Sequence, residues 1–517
     1  MGIKKYFVFS LLVFLLAAGL RVFYINQKQG FHVDEIFSLT TIVGKRIESD
    51  YFIHNARKGY LGKDIKNYYF HTPRHSLKED LIKLRKDNNA DDAHPSLYYS
   101  LLRIAYQFSQ FSPQGFINFG CGLNLIFFAF SFFIMRKILI RLFGDNKLVP
   151  IGLGAAFLNT GTISMTLFIR PYELQMLAFV LISYVYLVYK DKLKNNLNIL
   201  SIKDVCILSV SLAFTFLSGY YLVLYVGFLG LILLWHAAKN FKNIGALTIS
   251  VMLSVFLSVF IYNGYFLMLH GQRFEAVNFS GFFDEIVFYI INFVSYFCNL
   301  NKFLFYTMII ITLACSIPFL KNKEKAREKS LVIIAFIWSF IVAMISPFSI
   351  IRYIAPAFPV LSVALVYVIQ KIKLDKQNIF IALLFLIYIL YGIFPLKNES
   401  SDTLIFYKNN SSVLPFAARI ENLFVSELPK TDKNLPVLIK GHDWYAPLYI
   451  ISYLDDDKRY LIDSVEGREV EITNHPFKNY YLYLDTSVNQ VSFDKNHVEL
   501  KPLGNLLRYK CFEVTTK

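Results

Sequence analysis

The sequence predicts a polytopic α-helical membrane protein of about eleven transmembrane helices, followed by a small α/β domain. Three observations predict this class. The 517 residues are 55% hydrophobic, with a mean hydropathy of +0.44. Apolar runs of about 20 residues, enough to cross a hydrocarbon core of about 30 Å, recur as far as position 396. Beyond it the pattern changes to short strand-like segments separated by polar turns. A net charge of +16 would suggest nucleic acid in a soluble chain. Here the positive residues cluster in short loops between apolar runs, so topology accounts for them and no nucleic-acid partner is implied.

The first apolar run, 6–25, follows Lys4 and Lys5. It is long for the core of a signal peptide, and no small-x-small cleavage site follows it, so it reads as a first transmembrane helix with a cytoplasmic amino end. Basic stretches at 136–147, 190–203, 236–242, 321–329 and 371–376 mark cytoplasmic loops. Between them lie spans near 116–135, 148–168, 171–189, 204–218, 219–235, 244–268, 300–320, 330–346, 351–370 and 377–396. The segment 95–111, "PSLYYSLLRIAYQFSQF", cannot cross without putting the amino end and 136–147 on opposite sides. With Arg103 in its middle it reads as an amphipathic helix in the interface, inside one large outer loop, 26–115. Segment 284–299 reads as interfacial too. Five cysteines give no disulfide framework: Cys121, Cys206, Cys298 and Cys315 sit in or beside apolar segments, and Cys511 is alone in the tail.

This topology gathers the chemistry on one face. Outside lie "GFHVDEIFSLT" at 30–40, "DDAHPSLYY" at 91–99, "IRPYELQ" at 169–175, "SIIRYIAP" at 349–356 and the tail. Few ionisable residues lie mid-span, which argues against an ion-coupled transporter and for catalysis at the outer surface. Asp34 and Glu35 supply a candidate general base. Arg170 and Arg352 stand where apolar helices meet the outside, each near a tyrosine, Tyr172 and Tyr353, and an arginine fork at that depth suits a lipid phosphate. His94 would add a donor, and Tyr98 and Glu173 are further candidate substrate contacts. Each has a plain structural reading as well. The acidic pair could be solvated and the arginines could snorkel. His94–Pro95 could simply open a helix, Tyr98 and Tyr99 could be interface aromatics, and Glu173 could be a partner of Arg170. No metal-ligand spacing is present, and neither a metal nor another cofactor is expected.

Order supplies what single residues lack. Asp-Glu after the first helix, "HPSLYYSLL", "RPYEL" and "RYIAPAFP", in that sequence, resemble the GT-C glycosyltransferase superfamily. The likeness is to its bacterial branch related to protein O-mannosyltransferases and lipid A aminoarabinose transferases. Ser96 departs from the proline more usual at that position. The resemblance covers roughly 1–396, the GT-C-like transmembrane domain. It implies a polyprenyl-phosphate-linked sugar as donor and an inverting transfer to an extracytoplasmic acceptor, at the outer face of a bacterial cytoplasmic membrane. It also implies Asp34 as base beside Glu35, and His94, Arg170, Arg352 and Tyr353 facing the donor phosphate, without a divalent metal.

The remainder, 397–517, reads as an extracytoplasmic α/β domain joined by an Asn/Ser/Asp-rich linker at 398–413. "NLPVLIKG", "KRYLIDS", "NYYLYLDT" and "LLRYKCFEV" read as strands and "WYAPLYIISYL" as a helix. Its expected role is to grip the acceptor, to cap the site or only to stabilise the membrane part. Two rival classes share the greasy helices. A lipid-linked sugar flippase should line a path between helices with polar residues, and an outer-face glycan polymerase or ligase should carry its large loop late in the chain.

Overall fold

The computed structural model describes residues 2–28, 31–43, 59–71, 77–86, 95–109, 111–194, 199–266, 323–345, 351–371, 431–441, 446–464, 469–472, 477–485, 490–493, 498–506 and 509–516. The first apolar run is helix α1 (Gly2–Gln27), and a short helix α2 (Val33–Ile42) follows it. Strand β1 (Tyr60–Leu61), α3 (Gly62–Phe70), α4 (Leu77–Lys86) and α5 (Leu97–Tyr106) complete what is described of the outer loop. The bundle continues with α6 (Pro113–Phe143), α7 (Leu148–Phe157), α8 (Thr160–Leu167), α9 (Tyr172–Lys194), α10 (Ile202–Ser218), α11 (Leu222–Ala237), α12 (Phe241–Ile261) and α13 (Lys323–Ile345). Two 3-10 turns, Ile351–Tyr353 and Ala355–Ala357, lead into α14 (Phe358–Leu361) and α15 (Val363–Lys371).

Among the described residues four helices are long and apolar enough to cross a membrane: Tyr6–Asn26, Pro113–Phe143, Tyr172–Lys194 and Phe241–Ile261. The chain is therefore a multi-pass membrane protein. Local chemistry sets the ends of these helices. Ser112 accepts the N–H of Gly115 at 3.1 Å, Pro113 suits the first turn of α6, and Gly144, at φ +77°, ends it. At 1.5 Å per residue α6 is roughly 46 Å long, well beyond a hydrocarbon core, so its basic end stands clear of the apolar layer. Ala246, Ser250, Ser254 and Ser258, four residues apart, make a buried small-residue stripe on α12, which packs against α10.

Several sequence expectations change here. Most of 136–147 is no loop, because α6 runs on to Phe143. The span 148–168 is two helices meeting at 56°, and α7 and α8 are joined by Leu158 and Asn159. Asn159 serves both: its Oδ1 accepts the Thr162 N–H at 2.9 Å, and its Nδ2 donates to the carbonyls of Ala155 and Ala156 at 3.0 and 2.9 Å. The span 351–370 is likewise broken into 3-10 turns and short helices, since Pro356 and Pro359 lack the N–H groups a continuous helix needs. Segments 284–299, 300–320, 377–396 and 398–413 lie outside the described residues.

The carboxyl part carries a six-stranded mixed sheet in the order β1-β3-β2-β5-β8-β7. Its strands are β2 (Val437–Gly441), β3 (Arg459–Ser464), β5 (Asn479–Asp485), β7 (Val498–Leu506) and β8 (Tyr509–Thr516), with β1 at one edge. Strands β4 (Glu469–Ile472) and β6 (Gln490–Phe493) form a separate parallel pair. "WYAPLYIISYL" is a 3-10 helix, Ala446–Tyr453, not an α-helix. "LLRYKCFEV" is not one strand: it spans the end of β7 and most of β8, which pair antiparallel.

Candidate active site

Helix α2 starts on a capping box of unusual composition. His32 Nδ1 accepts the backbone N–H of Asp34 at 3.1 Å, and the Glu35 carboxylate accepts the N–H of His32 at 2.8 Å. Glu35 has no exposed surface. Its Oε2 also pairs with Lys28 Nζ at 3.0 Å, and its Oε1 accepts the N–H of Ile169 at 2.9 Å. Three donors thus fix one carboxylate and tie the start of α2 to the turn before α9.

Asp34, one residue earlier, points to a different partner. Its carboxylate pairs with the guanidinium of Arg352, which the Ile351–Tyr353 turn presents. The Asp34 side chain keeps 16% of its surface exposed and Arg352 keeps 10%, so the pair is shielded and not sealed. Burial opposes ionisation of Asp34. The positive charge of Arg352 foremost, then His32 and Arg170, outweighs it and holds the carboxyl well below the usual carboxylate range.

Arg170 stands behind α2. Its Nη1 lies 3.2 Å from the Asp34 carbonyl, 3.2 Å from the Tyr99 hydroxyl and 3.4 Å from the Ser38 hydroxyl. Arg352 is surrounded by rings, its guanidinium 5.7 Å from Phe168, 5.7 Å from Tyr172 and 5.6 Å from Tyr353. Among the described residues its Nε–H has no hydrogen-bond partner. Two arginines and one carboxylate thus converge at one end of the bundle, within an aromatic collar.

Buried polar contacts hold this turn from below. Asn124 Nδ2 donates to the carbonyls of Phe168 and Thr166 at 2.7 and 3.2 Å, and the Tyr98 hydroxyl donates to its Oδ1 at 3.2 Å. Arg21 Nε donates to Thr166 Oγ1 at 2.9 Å, and that hydroxyl donates to Glu173 Oε2 at 3.1 Å. Glu173 is therefore linked to Thr166 and Arg21, where the structural reading expected Arg170.

The structure brings Asp34, Glu35, Arg170, Arg352, Tyr353, Tyr98, Tyr172 and Glu173 into one neighbourhood. His94 lies outside the described residues. Tyr98 and Glu173 are wholly buried in protein contacts, whereas Asp34 and Arg352 retain some exposure. Sequence reasoning missed Lys28, Ser38, Asn124, Thr166 and Arg21. For Asn124 and Arg21 a signal was present, a polar residue inside an apolar run. Among the described residues no group of three His, Cys, Asp or Glu side chains could hold a metal ion.

Comparison with solved structures finds similar chains at low identity. The oligosaccharyltransferase of Archaeoglobus fulgidus, in complex with Zn and sulfate, is 12% identical with a TM-score of 0.43, covering 92% of this chain and 68% of that one. ArnT from Cupriavidus metallidurans bound to undecaprenyl phosphate is 10% identical with a TM-score of 0.46, covering 99% and 97%. The same protein in its apo state is 11% identical with a TM-score of 0.45, covering 99% and 97%. No family model matches the sequence, and no curated protein matches it.

Proposed function

We propose that this chain is a GT-C-type glycosyltransferase that moves a sugar from a polyprenyl-phosphate donor to an extracytoplasmic acceptor, with inversion. The reaction would take place at the outer face of a bacterial cytoplasmic membrane. The observation that carries the reading is the facing of Asp34 and Arg352, with Arg170 behind, at one end of a membrane bundle. The ordered motifs of the sequence support it.

In this reading the acceptor nucleophile attacks the anomeric carbon as Asp34 takes its proton. The bond from that carbon to the phosphate oxygen breaks, and its electron pair leaves with the polyprenyl phosphate. Arg352 and Arg170 stabilise that charge, and the aromatic collar keeps water from weakening the interaction. Of the two carboxylates Asp34 suits the base. Glu35 is saturated by Lys28 and two backbone N–H groups, which makes it the residue that holds Asp34 in place. A carboxylate held by Arg352 is a weak base. A phosphate that draws Arg352 away would raise the basicity of Asp34 just where the acceptor must lose its proton.

The test compares polyprenyl-phosphate sugars, by mass spectrometry, in cells with wild-type protein or Asp34→Asn at equal membrane levels. A sugar lipid that accumulates only in the mutant is expected, with transfer slowed about 10²–10⁴-fold in membranes. A loss of less than tenfold would remove Asp34 from the mechanism.

A further inference from the structure

The outer loop and the carboxyl-terminal sheet are joined by backbone pairing. Strand β1 adds to the edge of β3, antiparallel, with Tyr60 opposite Tyr460 and Leu61 opposite Arg459. Two further bonds extend the seam: Gly62 N–H donates to the Lys458 carbonyl at 3.0 Å, and Lys63 N–H to that of Asp456 at 3.1 Å. The fit requires a glycine. A Cβ on Gly62 would lie 2.1 Å from the Asp455 carbonyl oxygen, a backbone atom with no room to yield. Gly59, at φ +62°, enters β1 in the left-handed region. An exposed ion pair, Lys66–Asp456 at 2.9 Å, lies alongside.

This seam leads to the base. Helix α3 continues directly from Gly62, and its buried Ile65, Tyr69 and Phe70 share an apolar cluster with Ile36, Leu39 and Val43 of and just after α2. The same cluster takes in Ile450, Ile451 and Leu454 from the sheet domain, each at most 3% exposed. Helix α2 is thus held at its first turn by Glu35 and along its flank by the sheet domain. Well-packed interiors transmit small displacements, since they have no slack to absorb them.

We infer that the carboxyl-terminal domain is a positioning element for the transfer reaction: through the β1–β3 seam and the Ala446–Tyr453 helix it sets the pose of α2, and so of Asp34. Gly62 and Ile450 are its positioning residues. The inference rests on Asp34 being the base. It assigns the domain a part in the chemical step, where a stabilising appendage would have none.

The test is a steady-state assay of the full-length protein in nanodiscs, with a polyprenyl-phosphate sugar as varied donor. Wild type, Asp34→Asn, Gly62→Val and the double variant are compared. Gly62→Val should lower kcat about 10–10²-fold, as expected for an ångström-scale misplacement of a catalytic group, with the donor KM changed less than twofold. In the Asp34→Asn background the same substitution should cost nothing further, because there is no base left to misplace. An unchanged kcat in Gly62→Val overturns the inference. So does a double variant slower than Asp34→Asn by the factor seen in wild type. If Gly62→Val does not reach the membrane, Ile450→Ala carries the same comparison without a backbone clash. Full activity in Asp34→Asn is a separate outcome, which removes the assignment of the base itself.

Discussion

Asp34 and Glu35 are neighbours in the chain, yet their surroundings differ: Arg352 faces Asp34, while Lys28 and two backbone N–H groups hold Glu35. Exchanging Glu35 for Gln should leave Lys28 as an unpaired buried cation, at a cost of about 3–5 kcal/mol. Heating the detergent-solubilised protein should show this as a much lower unfolding temperature, and the surviving fraction should keep more turnover than Asp34→Asn. Equal loss of turnover in the two variants would put Glu35 in the chemistry. Asp34 carries its own pH signature. Its folded pKa is depressed, so the stability its pairing confers is present above the ordinary aspartate value of about 3.9 and declines as pH falls below it. Arg352→Gln removes the largest opposing charge and leaves burial to act, so the acid limb of kcat/KM for the donor should move to higher pH. A limb that stays in place would mean that another group governs it. The acidic pair and both arginines were legible in the sequence, because each sits at the edge of an apolar run. Which carboxylate faces which cation was not, since Glu35 finds a partner seven residues before it and Asp34 one 318 residues after it.

At the scale of elements, the site depends on a turn that no helix continues through. Residues 166–170 receive hydrogen bonds from Asn124 on α6 and Arg21 on α1, and the Ile169 N–H of that stretch binds Glu35. Asn124→Ala would remove the buried side-chain donor shared by the Thr166 and Phe168 carbonyls, leaving Phe168 only the Arg170 N–H at 2.7 Å. It should cost about 1–3 kcal/mol and loosen the ring that flanks Arg352. Thermal unfolding and the donor KM check the two halves of that statement. An unchanged KM would detach the Phe168 turn from donor binding. Hydropathy found most of the helices but not their breaks. The bend at Asn159 comes from a side chain serving two helix ends, and the breaks near 356 and 359 come from proline inside an otherwise apolar run. Strand β1, two residues long, falls below any periodic signal and exists only because β3 offers it an edge.

At the scale of the whole molecule, the positive-inside reading makes the sheet domain and the α11–α12 turn lie on opposite sides of the membrane. In a cysteine-free background, Asp457→Cys should react with a membrane-impermeant thiol reagent added to spheroplasts, and Lys239→Cys only after permeabilisation. Both side chains are exposed, so a reversed pattern would invert the topology and move the proposed site to the cytoplasm. A small carboxyl-terminal sheet domain was legible from the change of pattern, and alternation located β2, β3, β5 and most of β8, but not β4, β6 or most of β7. The junction between the parts was not legible, because it is written in backbone hydrogen bonds and one glycine. That junction also sets a clock on biosynthesis. Tyr60 must wait for Tyr460, and at about 5–20 residues per second the ribosome needs roughly 20–80 s to bridge the gap. During that interval β1 has no edge to pair with. A chain cut short before β3 would therefore leave β1 without the edge it pairs with, and α2 without the flank that the sheet domain supplies.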